Sequence, residues 1–510
     1  MKFDLNNFND HNVWDLICEG RTKGVFQLES QLGRSWAKRV KPRNIEELSA
    51  LISLIRPGCL KAFTEGKSMT NHYVDRKSKK DETKFLHESL EDILSETYGV
   101  LVYQEQSMRI VQKLAGFDLK EADNLRKAIG KKQAALMGKI KKDFLKGCSK
   151  QKMVPKKIAE EIFSWIEKSN RYAFNKSHAV SYAINAYWSA YCKYYRTVRF
   201  FTTYLNHAER KPDPKQEVKE LVMDCKMNDI EVYPPRLKYF FESFTSVDNN
   251  IYFGVSHVKQ VGGSFGSIME QVSQVEKPFR DWNWMDVLCN IKINKQSMVS
   301  LISVGGFSGE NNSKYRNEML YEFSAWKTLT AREIEWIKEN RDGCDSLLGC
   351  IRHMINNFKI TTNRLQKLAD MQQMLENPPY SLEDSAQSIA ENEEKLLGCA
   401  LTCGKTDYLD NNLVNSVCKD VALGIIKGKV NLAVQINSVR EYKTKKGKNP
   451  GQIMAFLGVE DSSGHLDSAT IFPEDYDKNK NLLVEGNTVL LVSETSKRDN
   501  GIIIKDVQQI

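Results

Sequence analysis

From Val421 onward the apolar residues stop recurring every three or four positions and begin to alternate. VNLAVQINSVREY, QIMAFLGVED, HLDSATIF, TVLLVSET and GIIIKDVQQI are five β-rich runs. They cannot continue the helical pattern upstream, because side chains repeat every second residue in a strand and about every 3.6 in a helix. Ser462-Ser463-Gly464 and Asp499-Asn500-Gly501 supply turns, and DKNKNLLVEG reads as a short helix between the third and fourth runs. Five strands with that one helix fit an OB-fold barrel over 421–510. The expected architecture is therefore multidomain, mainly α, and ends in an all-β barrel.

Upstream the period is helical. Leu48, Leu51, Ile52 and Ile55 in NIEELSALISLI share one face that Pro57-Gly58 ends. LHESLEDILSETYGVLVYQEQSMRIVQKLAGF reads as two helices broken near Gly99. Tyr233-Pro234-Pro235 marks a boundary. Residues 236–330 become short segments punctuated by glycine, and 331–420 form a charged helical connector. A chain of 510 residues is too long for one core, and these four parts are the expected domains.

Several classes drop out early. MKFDLNNFNDHNVWDL lacks the basic and apolar regions of a secretion signal, and no apolar run approaches the ~20 residues needed to span a bilayer. A soluble cytoplasmic protein with no membrane partner is expected. The eleven scattered cysteines read as reduced thiols. Cys344/Cys350 and Cys399/Cys403 lack a tight C-x2-C knuckle, so no metal site is expected. A net charge of +9 permits a nucleic-acid partner without demanding one, and the distribution of charge has to decide.

That distribution is uneven. Between Arg126 and Lys157 stand twelve basic residues and one acid, Asp143. A lysine run is ordinarily a solvated helix face. Here the alternating acids are missing, and uncompensated charge is unfavourable unless a polyanion is the working partner. Gly130 in LRKAIGKK would turn Arg126 and Lys127 one way and Lys131 and Lys132 another.

The stretch RYAFNKSHAVSYAINAYWSAY adds a second signal. Ala179, Ala183, Ala186 and Ala190 make one stripe of small side chains, against which another backbone can lie closely. Ser177 can cap the helix start, beside Lys176 and His178, where free N–H groups suit an anion. The plain alternative is a cap, a packed imidazole and a surface lysine; periodicity leaves both open.

In order along the chain, GVFQLES (Gly24–Ser30), LISLIRPGCL (Leu51–Leu60), ETYGVLVYQEQSMRIVQKLAGF (Glu96–Phe117), EADNLRKAIGKK (Glu121–Lys132) and FNKSHAVSYA (Phe174–Ala183) resemble motifs of the bacterial DNA polymerase III alpha family. YFGVSHVKQVG (Tyr252–Gly262) resembles its helix-hairpin-helix segment, and TKKGK through IFPEDY its OB module. The resemblance implies fingers over 1–235, a helix-hairpin-helix domain over 236–330, the connector, and then the OB-fold. It implies that Arg126, Lys127, Lys176, Ser177 and His178 bind the incoming dNTP. The family usually has two arginines where Arg126-Lys127 stands, and a lysine cannot reproduce a bidentate fork. Arg56 in LIRPG and Gln104–Gln106 in YQEQ also fall in matching motifs, with a structural or a binding role equally open.

For primer-template DNA, VKQVGG suggests Lys259, Gly262 and Gly263, whose amides can meet a phosphate without reading sequence. In the barrel, the loop KTKKGK offers Lys443, Lys445, Lys446 and Lys448, and Lys497-Arg498 adds to the opposite rim. Two Mg²⁺ held by palm carboxylates drive polymerase chemistry in this family. Nothing in the 23 residues ahead of GVFQLES resembles those motifs. The expectation is a split enzyme, of bacterial or phage type, whose palm-containing partner chain holds Mg²⁺, or else a fragment of a longer polymerase. No catalytic residue is expected within this chain. A sliding-clamp peptide is not evident: Gln372-Gln373-Met374-Leu375 lacks the aromatic residue. A competing expectation is a non-catalytic nucleic-acid-binding accessory protein derived from a polymerase.

Overall fold

A computed structural model describes residues 4–130, 134–169, 173–341, 344, 346–359, 361–407, 414–444, 450–496 and 500–510. It divides into two compact units, Met1–Thr197 and Val198–Ile510.

The first unit is helical and has two cores. One forms around α1 (Ile45–Leu54), and α2 (Gln104–Ala115), α3 (Leu119–Gly130), α4 (Ala134–Gln151) and α5 (Lys156–Ser169) enclose the other. The long helix α6 (Lys176–Tyr195) belongs to the first core. Its alanine stripe is fully buried at all four positions and lies against α1. Pro57-Gly58 does not merely stop α1. Proline stands at the first position of a further short helix, Pro57–Lys61, where its missing N–H is harmless.

Tyr103 and Phe174, both packed in the first core, form a parallel bridge. Gln104 donates its N–H to the Phe174 carbonyl at 3.0 Å, and Phe174 donates to Val102 at 3.0 Å. Helices α2 and α4 meet closely at Gly147, where an added Cβ would stand 2.2 Å from the Ala115 carbonyl oxygen. Gly147→Ala is therefore expected to lower stability by about 1–3 kcal/mol through overpacking, read as a lower urea midpoint.

In the second unit one apolar core runs from Phe201 to Leu401. The first unit thus closes at Thr197, ahead of the expected boundary at 235, because Phe201 and Leu205 pack into this later core together with Leu221, Val222 and Cys225 from α7 (Pro214–Met227). The hairpin segment and the helices of the connector share the same interior.

The barrel has its own core. Its strands are β1 (Lys429–Lys443), β2 (Ile453–Asp461), β3 (Gly464–Ile471), β4 (Thr488–Thr495) and β5 (Ile502–Gln509). They close in the order β5-β3-β2-β1-β4, with a parallel β3–β5 pair, and the helix Pro473–Asn479 lies between β3 and β4. That is the OB-like barrel expected after a helical front. The barrel sits on α7. Lys219 pairs with the buried Glu460 at 2.7 Å, and Met227 Sδ occupies the space a Gly464 side chain would need. No helix among the described residues is long and apolar enough to cross a membrane.

Candidate functional site

The start of α6 is held by its neighbours rather than by its own serine. Asn175 is the N-cap, its side chain accepting from the His178 N–H at 2.9 Å. Ser177 lies inside the first turn and donates to Asn175 Oδ1 at 2.6 Å. The expected Ser177 cap is corrected accordingly: both residue types cap well, and the bridge at Phe174 fixes the helix start one residue after Asn175.

Lys176 is framed by two carboxylates. Its ammonium contacts both oxygens of Glu96 at 2.9 and 2.8 Å, its N–H donates to Glu105 Oε2 at 2.9 Å, and its Nζ lies 5.7 Å from the Tyr103 ring centre. Burial, followed by the nearby Glu96 charge, pushes the Tyr103 phenol well above its ordinary range.

His178 is exposed but not isolated. Its ring lies 5.3 Å from Phe174 and 4.0 Å from Tyr182, and Tyr182 meets Phe26 at 5.0 Å. At the other end the Arg56 guanidinium covers Phe174 at 3.5 Å. A ladder of flat groups results: Arg56, Phe174, His178, Tyr182 and Phe26. It joins LIRPG, FNKSHAVSYA and GVFQLES, segments far apart in sequence. His178 and Tyr182, at i and i+4, lie on one face of α6, and Phe174, ahead of the helix start, joins them through its ring contact with His178. Phe26 and Tyr182 were not singled out from sequence, although that spacing was available for Tyr182. Such an array can stack on a base, and its cations can meet phosphates.

Arg126 and Lys127 lie near the end of α3, both exposed and both turned to the same acid. Arg126 bonds Asp123 Oδ1 at 2.7–2.8 Å, and Lys127 bonds Asp123 Oδ2 at 2.7 Å. The Lys127 bond first, then that of Arg126, holds the Asp123 carboxyl below its ordinary range. The candidate nucleotide cations are thus brought into two pairings, Lys176 with Glu96 and Arg126-Lys127 with Asp123.

Gln106, by contrast, is buried and structural. Its Oε1 accepts from the Val102 and Tyr103 N–H groups, both at 3.0 Å, and its Nε2 donates to Thr97 Oγ1 and the Ile93 carbonyl.

In the second unit VKQVGG turns sharply: Gln260 has φ 72° and Gly262 φ 48°. Nothing lies within 4 Å of where a side chain on Gly262 or Gly263 would begin, so the backbone of this turn faces open space. The Lys259 side chain is exposed, while its N–H donates to the Leu396 carbonyl at 2.9 Å. Gln372-Gln373-Met374-Leu375 is helical, within Thr362–Glu376.

On the barrel, Lys443 ends β1 and is exposed. Lys131, Lys132, Lys445, Lys446, Lys448, Lys497 and Arg498 lie outside the described residues. The outer wall adds Tyr442 and Phe456, 45% and 40% exposed, with ring centres 6.4 Å apart. Exposed aromatics on a barrel wall suit stacking on single-strand bases. Their outward register in an alternating strand was the signal available in the sequence.

A family profile described as the bacterial DNA polymerase III alpha subunit finger domain matches residues 1–152. The DNA polymerase III subunit alpha of Aquifex aeolicus is 31% identical over 95% of this chain and 37% of its own length. That of Borreliella burgdorferi is 29% identical over 100% of this chain and 42% of its own length. The Thermus aquaticus subunit is 34% identical over 60% of this chain and 25% of its own. The chain therefore spans well under half the length of these relatives.

Proposed function

Because the chain belongs to the bacterial DNA polymerase III alpha family from its finger domain to its barrel, we propose that it binds the incoming dNTP and primer-template DNA for a DNA polymerase. On this reading a separate palm-containing chain completes the active site. The observation that carries the reading is the ladder from Arg56 through Phe174, His178 and Tyr182 to Phe26, in which three motif segments meet on one exposed face. Flat groups flanked by Arg56 and Lys176 suit a base and its phosphates. Arg126, Lys127, Ser177 and His178 join them in holding the triphosphate. Lys259, Gly262, Gly263 and the basic barrel loops hold the DNA backbone, with Tyr442 and Phe456 stacking on unpaired bases.

We assign Mg²⁺ to the palm-containing chain. Among the described residues no group of three or more metal-ligating side chains comes together. The enzyme is expected to act in the cytoplasm of a bacterial cell or a phage-infected host. The test is reconstitution. Purified chain with Mg²⁺, dNTPs and primed template should extend nothing, and adding the palm-containing chain should restore extension. Extension by this chain alone would falsify the division of labour.

A further inference from the structure

Helix α4 buries one face and leaves the other unusually charged. Ile140, Phe144 and Cys148, at i, i+4 and i+8, pack into the core. Opposite them Lys139, Lys142, Lys146 and Lys150 are all exposed. Their spacing of i, i+3, i+7 and i+11 puts them in one stripe, about 16 Å long at about 1.5 Å of rise per residue. Asp143 is the one acid on that face.

Elsewhere in the unit some lysines are paired, Lys67 with Asp75 and Asp81, Lys77 with Glu47 and Lys113 with Asp92, while others such as Lys38, Lys79 and Lys120 are exposed but scattered. Among the described residues none of the four stripe lysines makes an ion pair. Like charges three or four apart weaken a helix. A second departure adjoins the first. Helix α5 opens with the exposed Lys156 and Lys157 and has no acid in its first turn, where the helix dipole favours acids. Local rules broken together on a surface point to function rather than stability.

We propose that this face of α4 binds the phosphate backbone of duplex DNA. The proposal rests on the polymerase reading above. The exposed residues of α4 include no aromatic side chain. A single strand would therefore find no stacking platform there, whereas a duplex keeps its bases inside and offers phosphates alone.

The test replaces all four lysines by glutamine in the full chain and measures binding to a labelled blunt duplex by fluorescence anisotropy between about 50 and 200 mM salt. The slope of log K against log salt should become shallower by about 3–4, at about 0.9 per lost contact. The fourfold Lys→Arg variant should keep the original slope, and the matching single strand should respond less. If the glutamine variant unfolds, each single Lys→Gln change should still shift the slope by about 0.9. An unchanged duplex slope overturns the proposal, as does an equal or larger change on the single strand. Those outcomes leave the polymerase reading intact, whereas failure of the unaltered chain to bind duplex removes both.

Discussion

Gln106→Leu is expected to destabilise the first unit by about 3–4 kcal/mol, more than any surface change proposed above. The side chain is 2% exposed and makes four hydrogen bonds. Leucine fills a similar volume, so little of the loss is a cavity. The loss comes instead from the Val102 and Tyr103 amides, which would remain buried without an acceptor, at about 1–3 kcal/mol each. Hydrogen exchange at those two amides, with urea unfolding of the whole chain, measures it. A loss below about 1 kcal/mol would mean that the loop finds other acceptors and that Gln106 is not the hub described. Tyr103 bridges to Phe174, so the same change should also loosen the ladder.

The hub shows where sequence reasoning stops. YQEQ stood out as a motif, but a glutamine satisfied on four sides looks, in sequence, the same as one that waits for a ligand. The alanine stripe was legible because small residues at helical spacing have few other uses, and the structure supplies α1 as the backbone they admit. The barrel was legible because a period of two cannot be read as a helix. The extent of the first unit was not legible. Phe201, Leu205 and Leu221 announce buried faces, and periodicity does not say which core receives them. The ladder was half legible: His178 and Tyr182 follow one helix face, but Phe174, Phe26 and Arg56 reach it only through the tertiary fold. The cap was misassigned because Asn175 and Ser177 are both good caps two residues apart, and only the bridge at Phe174 decides between them.

Asp123 lies just ahead of the lysine-rich run that begins at Arg126. Its place at i−3 and i−4 to Arg126 and Lys127 makes it their natural partner on a helix. That pairing gives two substitutions with opposed expected signs. In the reconstituted polymerase, Arg126→Ala is expected to lower kcat/KM for dNTP roughly ten- to hundredfold, the scale of a charged hydrogen bond of about 1.5–3 kcal/mol. Stability should hardly change, because the Arg126–Asp123 pair is exposed, and such pairs contribute about 0–1 kcal/mol. Asp123→Asn should act the other way. On the proposed reading it removes the carboxylate that would compete with the triphosphate for both cations, so KM for dNTP should fall. If Arg126 only decorates the surface, neither change will move incorporation. If instead Asp123 holds Arg126 in its working position, Asp123→Asn will raise KM, and the exchange of a carboxylate for a triphosphate oxygen is not how this site loads its nucleotide.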